Sequence, residues 1–259
     1  MYVGLAWQFW NTRWRRGGAP RGLQAWERAA LLVPLALHGW LLYEGTFSGE
    51  LRFGFAQALS VMMFLGIALY WIESLFYSLE GMQPLLLPLA ALAVPLPAMF
   101  PGLASSGAHA QTLEFRLHLA LAMVAYSLFV IALLHAALMA VVERRLHQKN
   151  AGFFGNLPPL LTLEQLLFRV IGAAFFFLTL TLLTGIAFSE ELFGRALQFD
   201  HKTVFAVLSW LTFGLLLAGR RLYGWRGRTA LRWTLTGFLM LLFAYVGSRF
   251  VLEVVLHRS

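Results

Sequence analysis

Long runs of apolar residues, separated by short polar segments, recur along the whole chain. A helix that crosses a bilayer needs about 20 mostly apolar residues. The runs that reach or approach this length are Trp26–Tyr43, Phe53–Phe76, Leu117–Val142, Phe168–Phe188, Val204–Ala218 and Trp233–Leu256. The pattern predicts an all-α fold, a polytopic bundle of transmembrane helices.

Other segments complete the predicted set. Pro84–Phe100 is apolar but rich in proline, and we predict a kinked span, with a re-entrant segment as the alternative. Tyr2–Trp10 is too short to span alone and is read as an interfacial or truncated first helix. Gly155–Pro159 predicts a turn that leads into an interfacial helix with Glu164 near its start.

The apolar runs cover the whole chain, so we predict a single integral membrane domain, residues 1–259, in which residues 1–10 form the short first helix. It would contain about seven or eight spanning helices. Composition supports this prediction, because 59% of the residues are hydrophobic and 12% are charged. Soluble domains carry about 25% charged residues. There is no cysteine, which excludes disulfides, thiolate metal sites and covalent haem attachment through this chain.

The basic residues orient the predicted bundle. Most of the 20 Lys and Arg residues fall in the segments Arg13–Arg28, Arg144–Arg169 and Arg220–Arg232, all on one predicted side. The positive-inside rule places these segments in the cytoplasm and both termini on the outer side. The net charge of +8 is therefore explained by topology, and it does not indicate nucleic-acid binding.

The histidines are the first candidates for chemistry, since ionisable residues near a membrane are costly and often functional. In the predicted topology, five of the seven histidines lie at or near the outer face: His38, His109, His118, His201 and His257. Neutral imidazole is a good ligand for iron, and imidazoles from facing helices can hold haem between them. A histidine at a helix end also often binds only water or lipid headgroups.

The remaining polar residues indicate less. We interpret His109 and His147 as loop residues and His135 as a packed polar residue. Apart from Glu253, the carboxylates considered lie near helix ends, whereas an ion-coupled carrier usually needs acidic groups near the middle of the membrane. A secondary transporter is therefore not favoured. No catalytic motif is found, so an enzyme is not predicted.

Several short segments, taken in order, resemble a known family. They are Leu37-His38, His118–Phe129, Gly155–Pro159, His201–Thr203, Ser209-Trp210, Gly224–Gly227 and Ala244–Ser248. Their order and spacing resemble the cytochrome c assembly protein superfamily, which includes CcsA- and CcmC-like haem-handling proteins. The resemblance is closest to the short HemX/YpjD-like branch and covers roughly residues 27–257.

The resemblance implies a bacterial inner-membrane protein of eight helices that binds haem at its outer face. His118, which opens a helix, and His257, which closes the last one, match the ligands of the larger relatives. Two features depart from the family. The segment Ser189–Lys202 lacks the Trp-rich sequence that presents haem in the relatives, and Gly219 and Arg220 stand where they have a histidine. A complete synthetase is therefore not implied.

The leading hypothesis is an inner-membrane protein that binds haem b and takes part in haem handling or cytochrome c biogenesis. We rank the candidate ligands as His118, then His38, His201 and His257, with His118 and His38 as the first candidates for the haem iron. The expected partners are the lipid bilayer, haem and other cytochrome c biogenesis membrane proteins. The alternative is a cofactor-free permease-like or regulatory membrane subunit that acts through a partner protein.

Overall fold

The structure is a computed structural model that describes residues 1–15, 24–47, 52–77, 79, 81–102, 112–147, 159–188 and 201–255. The predictions for His109, His257, the turn at 155–158 and the segment 189–200 lie outside these residues. So does the side chain of His147, but its backbone is helical, so the prediction of a loop at this position was wrong.

The described part of the chain is built from α-helices. They are α1 Tyr2–Phe9, α2 Ala25–Phe47, α3 Phe55–Phe76, α4 Gln83–Ala93, α5 Leu96–Met99, α6 Leu113–His147, α7 Leu160–Ala187, α8 His201–Tyr223 and α9 Gly227–Leu242. The last helix continues to Val255 through π-helical turns at Phe243–Gly247 and Val251–Val255. The predicted all-α bundle is confirmed.

Five helices are long and apolar enough to cross a membrane, namely α3, α6, α7, α8 and the helix from Gly227 to Val255. The shorter apolar segment Gln83–Met99 and the helix α2, which contains Pro34, His38 and Glu44, lie outside this group. Because several helices meet the requirement for a span, the chain is a multi-pass membrane protein.

The proline-rich segment is kinked, as predicted. Helix α4 ends at Ala93, a turn at Val94 and Pro95 follows, and α5 continues the path. The segment starts close to the end of α3 and finishes beside its beginning, where the rings of Phe100 and Phe55 are 5.2 Å apart. Since it runs back along the whole of α3, the arrangement supports a kinked span over a re-entrant segment.

Two predicted helix boundaries were wrong. Helix α7 begins at Leu160, so the expected interfacial helix and the span starting at Phe168 form one continuous helix. Glu164 is tolerated near its start because it pairs with Arg220, whose Nη2 lies 2.6 Å from its Oε1. Helix α6 begins at Leu113, and His118 therefore lies in its second turn and does not open the helix.

Helix α6 lies at the centre of the bundle and packs against α3, α7 and α9. The Phe129 ring on α6 stacks on Phe213 of α8, with centroids 3.8 Å apart. The Tyr126 hydroxyl donates to the Leu241 carbonyl over 2.6 Å. Gly237 allows α9 to approach α8, because a Cβ at that position would lie 2.8 Å from the Phe213 ring. Aromatic stacking and close backbone approach thus hold the central helices together.

The contacts show which helix ends lie together. His118 near the start of α6 contacts Thr184 near the end of α7, and Gly54 before α3 lies against Glu253 near the end of the last helix. We call the end of the bundle where these residues lie the His118 end. The opposite end, which contains Arg220, is called the Arg220 end.

Most described arginines lie at the Arg220 end: Arg28, Arg144, Arg169, Arg220, Arg221, Arg226, Arg228 and Arg232. The Arg220–Glu164 pair joins the end of α8 to the start of α7, and the Arg228–Glu143 pair joins the start of α9 to the end of α6. These helix ends therefore lie together. The bundle therefore has one basic end. That this end faces the cytoplasm stays a prediction.

Candidate functional site

His118 is held against α7 by a hydrogen bond that determines its tautomer. Its Nδ1 lies 3.0 Å from the Thr184 hydroxyl oxygen. That hydroxyl is 2.9 Å from the Leu180 carbonyl oxygen and 3.0 Å from that of Thr181, and both carbonyls can only accept. A hydroxyl has one proton to donate, so it accepts from Nδ1–H of His118. In the neutral ring the basic electron pair is therefore on Nε2.

Gly185 lets the imidazole lie close to the α7 backbone. A Cβ at this position would be 3.3 Å from Cε1 of His118, which is tighter than an ordinary contact. The ring itself is half-buried. Helix α7 thus sets both the position of the His118 ring and the nitrogen that it offers to a ligand.

His38 lies in a closed environment. It is 2% exposed, and its ring packs edge-on against Phe64, with centroids 5.6 Å apart. Its Nε2 is 2.9 Å from the Ser60 hydroxyl, and its Nδ1 is 3.4 Å from the Tyr2 hydroxyl. Both ring nitrogens have hydroxyl partners, so binding a metal would require His38 to give up one of these contacts.

The structure does not bring the two first-ranked histidines together. His38 contacts residues of α1 and α3, whereas His118 contacts α7. His201 is the first residue of α8, is exposed, and belongs to a helix that packs against α7. It therefore shares the His118 end with His118. His257, the remaining candidate ligand, follows the described part of the last helix.

The donor set at the His118 end fits haem better than a bare metal ion. The described residues contain no group of three or more His, Cys, Asp or Glu side chains that could hold a metal ion. Haem iron already has four porphyrin nitrogens and needs only one or two protein ligands. A single oriented imidazole such as His118 meets that requirement, and its hydroxyl partner is the kind of neighbour that fixes a ligating histidine.

The position where relatives were expected to have a histidine holds a structural ion pair in this chain. Arg220 pairs with Glu164 and lies 4.8 Å above the centroid of the Phe168 ring. A Cβ at Gly219 would overlap the Trp225 indole, so this end of α8 packs directly on that ring. The side chains at 219 and 220 therefore serve packing and charge pairing at the Arg220 end.

The residues that position His118 could not be predicted from the sequence. Thr184 and Gly185 lie within an apolar helix, and nothing in their spacing links them to a histidine on another helix. The one sequence signal that could point to Thr184 is weak. A predicted span carries the hydroxyl groups of Thr179, Thr181 and Thr184, and such groups often form hydrogen bonds to a neighbouring helix. In this chain their hydroxyls donate to their own helix.

Comparisons with known proteins were consistent with this picture. Residues 25–256 match the family model described as cytochrome C assembly protein. Inner membrane protein YpjD of Escherichia coli strain K12 is 32% identical over 138 residues, which cover 53% of this chain and 52% of that protein. An uncharacterized 28.8 kDa protein of Azospirillum brasilense is 34% identical over 141 residues, 54% of this chain and 52% of that protein.

A more distant relative carries a functional name. Cytochrome c biogenesis protein CcsA of Chlamydomonas reinhardtii is 29% identical over 140 residues, 53% of this chain and 38% of that protein. The chain spans about half the length of the first curated relatives that it matches. No solved structure matches the chain.

Proposed function

The chain belongs to the cytochrome c assembly protein family, and we propose that it binds haem and takes part in cytochrome c biogenesis at a bacterial inner membrane. Two relatives support the proposal by name, since one is called an inner membrane protein and the other a cytochrome c biogenesis protein. The observation that carries the haem site is the orientation of His118 by Thr184 across the α6–α7 contact.

His118 is the primary ligand in this proposal. The Thr184 hydroxyl keeps the proton on Nδ1, so Nε2 is the nitrogen that binds iron. A second ligand would come from the same end, with His201 first and His257 next. His38 is the least suited of the four, because both of its ring nitrogens contact hydroxyls and it is buried.

The bound group is proposed to be haem b. The chain has no cysteine, so it cannot hold haem through thioether bonds of its own. Haem would supply an iron centre that changes oxidation state, while the protein residues bind and orient it. We propose that this chain handles haem together with other membrane proteins of cytochrome c biogenesis and is not itself a complete synthetase, because the segment Ser189–Lys202 lacks the Trp-rich sequence expected of one.

An absorption spectrum tests the haem proposal. The protein purified in detergent, supplied with haem, is expected to show a Soret band that shifts on reduction, and His118→Ala is expected to lose it. His147→Ala is the matched control, because it removes a histidine from the same helix at the Arg220 end. A colourless wild-type preparation that takes up no added haem would overturn the proposal and favour a cofactor-free regulatory subunit.

The proposed orientation, with both termini outside, is tested separately. Because there is no native cysteine, single-cysteine variants report one site each. Leu113 at the His118 end is 66% exposed, and Tyr223 at the Arg220 end is 77% exposed. A maleimide that cannot cross the inner membrane should label Leu113→Cys before permeabilisation and Tyr223→Cys only afterwards. The reverse order would place the basic end outside.

A further inference from the structure

Glu73 of α3 and His135 of α6 meet inside the bundle, away from the proposed haem ligands. The Oε2 atom of Glu73 lies 3.5 Å from Nε2 of His135. The His135 side chain is 0% exposed and that of Glu73 is 18% exposed. Among the described residues neither atom has a hydrogen-bond partner, and both are buried.

The other nitrogen of His135 determines what Nε2 can do. Nδ1 lies 2.9 Å from the carbonyl oxygen of Ile131, one turn earlier on the same helix. A carbonyl only accepts, so Nδ1 must carry a proton. In a neutral imidazole Nε2 is then an acceptor, and an ionised carboxylate is also only an acceptor. Without a further proton, two electron pairs would face each other in a buried site, which is costly.

We propose that Glu73 and His135 together form a proton-binding site that holds one proton between Oε2 and Nε2. In one form a neutral Glu73 donates its proton to Nε2, and in the other an imidazolium donates to the Glu73 carboxylate. The two forms contain the same number of protons and differ only in which atom the proton is bonded to. In either form the shared proton makes a hydrogen bond between α3 and α6.

The exposures of the two side chains indicate the route of the proton. Glu73 is partly exposed and His135 is fully buried, so the proton enters and leaves through the carboxyl group. It cannot continue through the ring, because Nδ1–H is bonded to a helix carbonyl that has no proton to exchange. The site therefore stores a proton at the α3–α6 interface and does not relay one across the membrane.

Charged groups on the surrounding helices lie toward the Arg220 end. Arg169 of α7 donates to the Tyr77 hydroxyl over 2.9 Å, one turn beyond Glu73, and Arg228 of α9 lies 3.7 Å from Glu143, beyond His135. Helices α4 and α5 carry no titratable side chain. Helices α3 and α6, and the helices that pack against them, carry further titratable residues toward this end. They are Glu27, Arg28, Tyr70, Tyr77, Glu143, Arg144, Glu164, Arg169, Arg228 and Arg232, with Tyr245 farther along the last helix.

The atoms that face each other are buried, and a buried polar atom without a hydrogen bond is costly. A proton shared with Nε2 removes that cost, because the Glu73 carboxyl group then carries a hydrogen bond in either form. Loss of that proton would leave opposed acceptors and loosen the contact between α3 and α6 at this point.

Infrared and NMR spectroscopy on the whole protein test the proposal without using haem. Histidine labelled with ¹⁵N reports whether each ring nitrogen of His135 is protonated, and the carboxyl stretch lost in Glu73→Gln reports the state of Glu73. Around neutral pH we expect one proton on the pair: either a protonated Glu73 with a neutral, Nδ1–H His135, or an ionised Glu73 with an imidazolium. Glu143→Gln is the control, because it removes a partly exposed carboxylate and should leave the His135 signals unchanged.

One result would overturn the proposal: an ionised Glu73 beside a neutral His135 at the same pH, whichever tautomer His135 adopts. If Glu73→Gln fails to fold, the ¹⁵N spectrum of the wild type provides the second test. We expect either an imidazolium or a neutral, Nδ1–H ring whose Nε2 shift shows that it accepts a hydrogen bond. A neutral ring whose Nε2 accepts no hydrogen bond would also overturn the shared site.

Discussion

Two of the three histidines on helix α6, His118 and His135, lie in contrasting surroundings. His118 lies near one end of the helix, half-buried, and leans against the last turns of α7. His135 lies further along, fully buried, and faces the α3 carboxyl group of Glu73. Both rings donate from Nδ1 to an oxygen that accepts, the Thr184 hydroxyl in one case and the Ile131 carbonyl in the other.

The partner of Nδ1 sets the tautomer of each ring, and the surroundings of Nε2 set the chemistry open to it. In both rings the Nδ1 hydrogen bond makes Nε2 the basic nitrogen of the neutral imidazole. At His135 that nitrogen meets a carboxyl group, so we infer a bound proton. At His118 the ring lies at the end of the bundle, where we propose a haem ligand. On these proposals the same hydrogen bond from Nδ1 serves different chemistry according to the group that Nε2 meets.

Among variants that change the neighbours of the two histidines, the largest effect is expected from removing the hydroxyl that orients His118. Thr184→Val should weaken haem binding about 10–100-fold, since loss of a hydrogen bond to a ligating histidine has effects of this size. Haem titration followed by absorbance measures the affinity. Thr181→Val is the matched control, because its hydroxyl donates to Phe177 and only its backbone carbonyl lies near the His118 site. Equal losses in both variants would contradict a specific role for Thr184.

A smaller effect is expected at the other histidine. Glu73→Leu leaves Nε2 of His135 buried without a partner and should lower the free energy of unfolding by about 1–3 kcal/mol. Glu143→Leu should change it by less than about 1 kcal/mol, because the Glu143–Arg228 pair is partly exposed. Unfolding in detergent followed by circular dichroism measures both.

A double variant tests whether Glu73 and His135 stabilise the fold as a pair. Replacing both Glu73 and His135 with leucine should recover part of the stability lost in Glu73→Leu, since no buried polar atom of the pair then lacks a partner. If the losses instead add, the two side chains do not act as a pair.

The smallest effect is expected from Gly185→Ala. The new methyl group would lie 3.3 Å from Cε1 of His118, so the ring must shift by a few tenths of an ångström. We expect a cost of about 0.5 kcal/mol, or roughly a twofold loss of haem affinity. Gly172→Ala on the same helix is the control, because a Cβ there meets nothing within 4 Å. An unchanged affinity in Gly185→Ala would show that the ring does not need its close approach to α7.

Much of the fold could be predicted because it depends on local properties of the chain. The run Phe53–Phe76 predicted α3 almost to the residue, since a span must be apolar over its whole length. The kink after Ala93 followed from the missing N–H and fixed backbone angle of proline. The start of α7 was misplaced because Glu164 is an unfavourable residue there until Arg220, distant in the chain, neutralises it.

The candidate site was predictable only in part. His118 was ranked first from its place near a helix end and from a family resemblance, but its partner Thr184 could not be identified. His38 was ranked second, and the structure instead places it among hydroxyl groups in the interior. His135 was interpreted as a packed polar residue, which its burial supports, without any indication of Glu73.

The sequence by itself therefore determined the helical class, most spans, the basic end of the bundle and the histidines worth testing. Only the tertiary structure decided which oxygen each imidazole meets. The physical reason is that length and hydropathy act along one helix, whereas a contact between helices depends on how each is rotated about its axis. In helices that are apolar on nearly every side, the sequence pattern does not specify that rotation, and packing decides it.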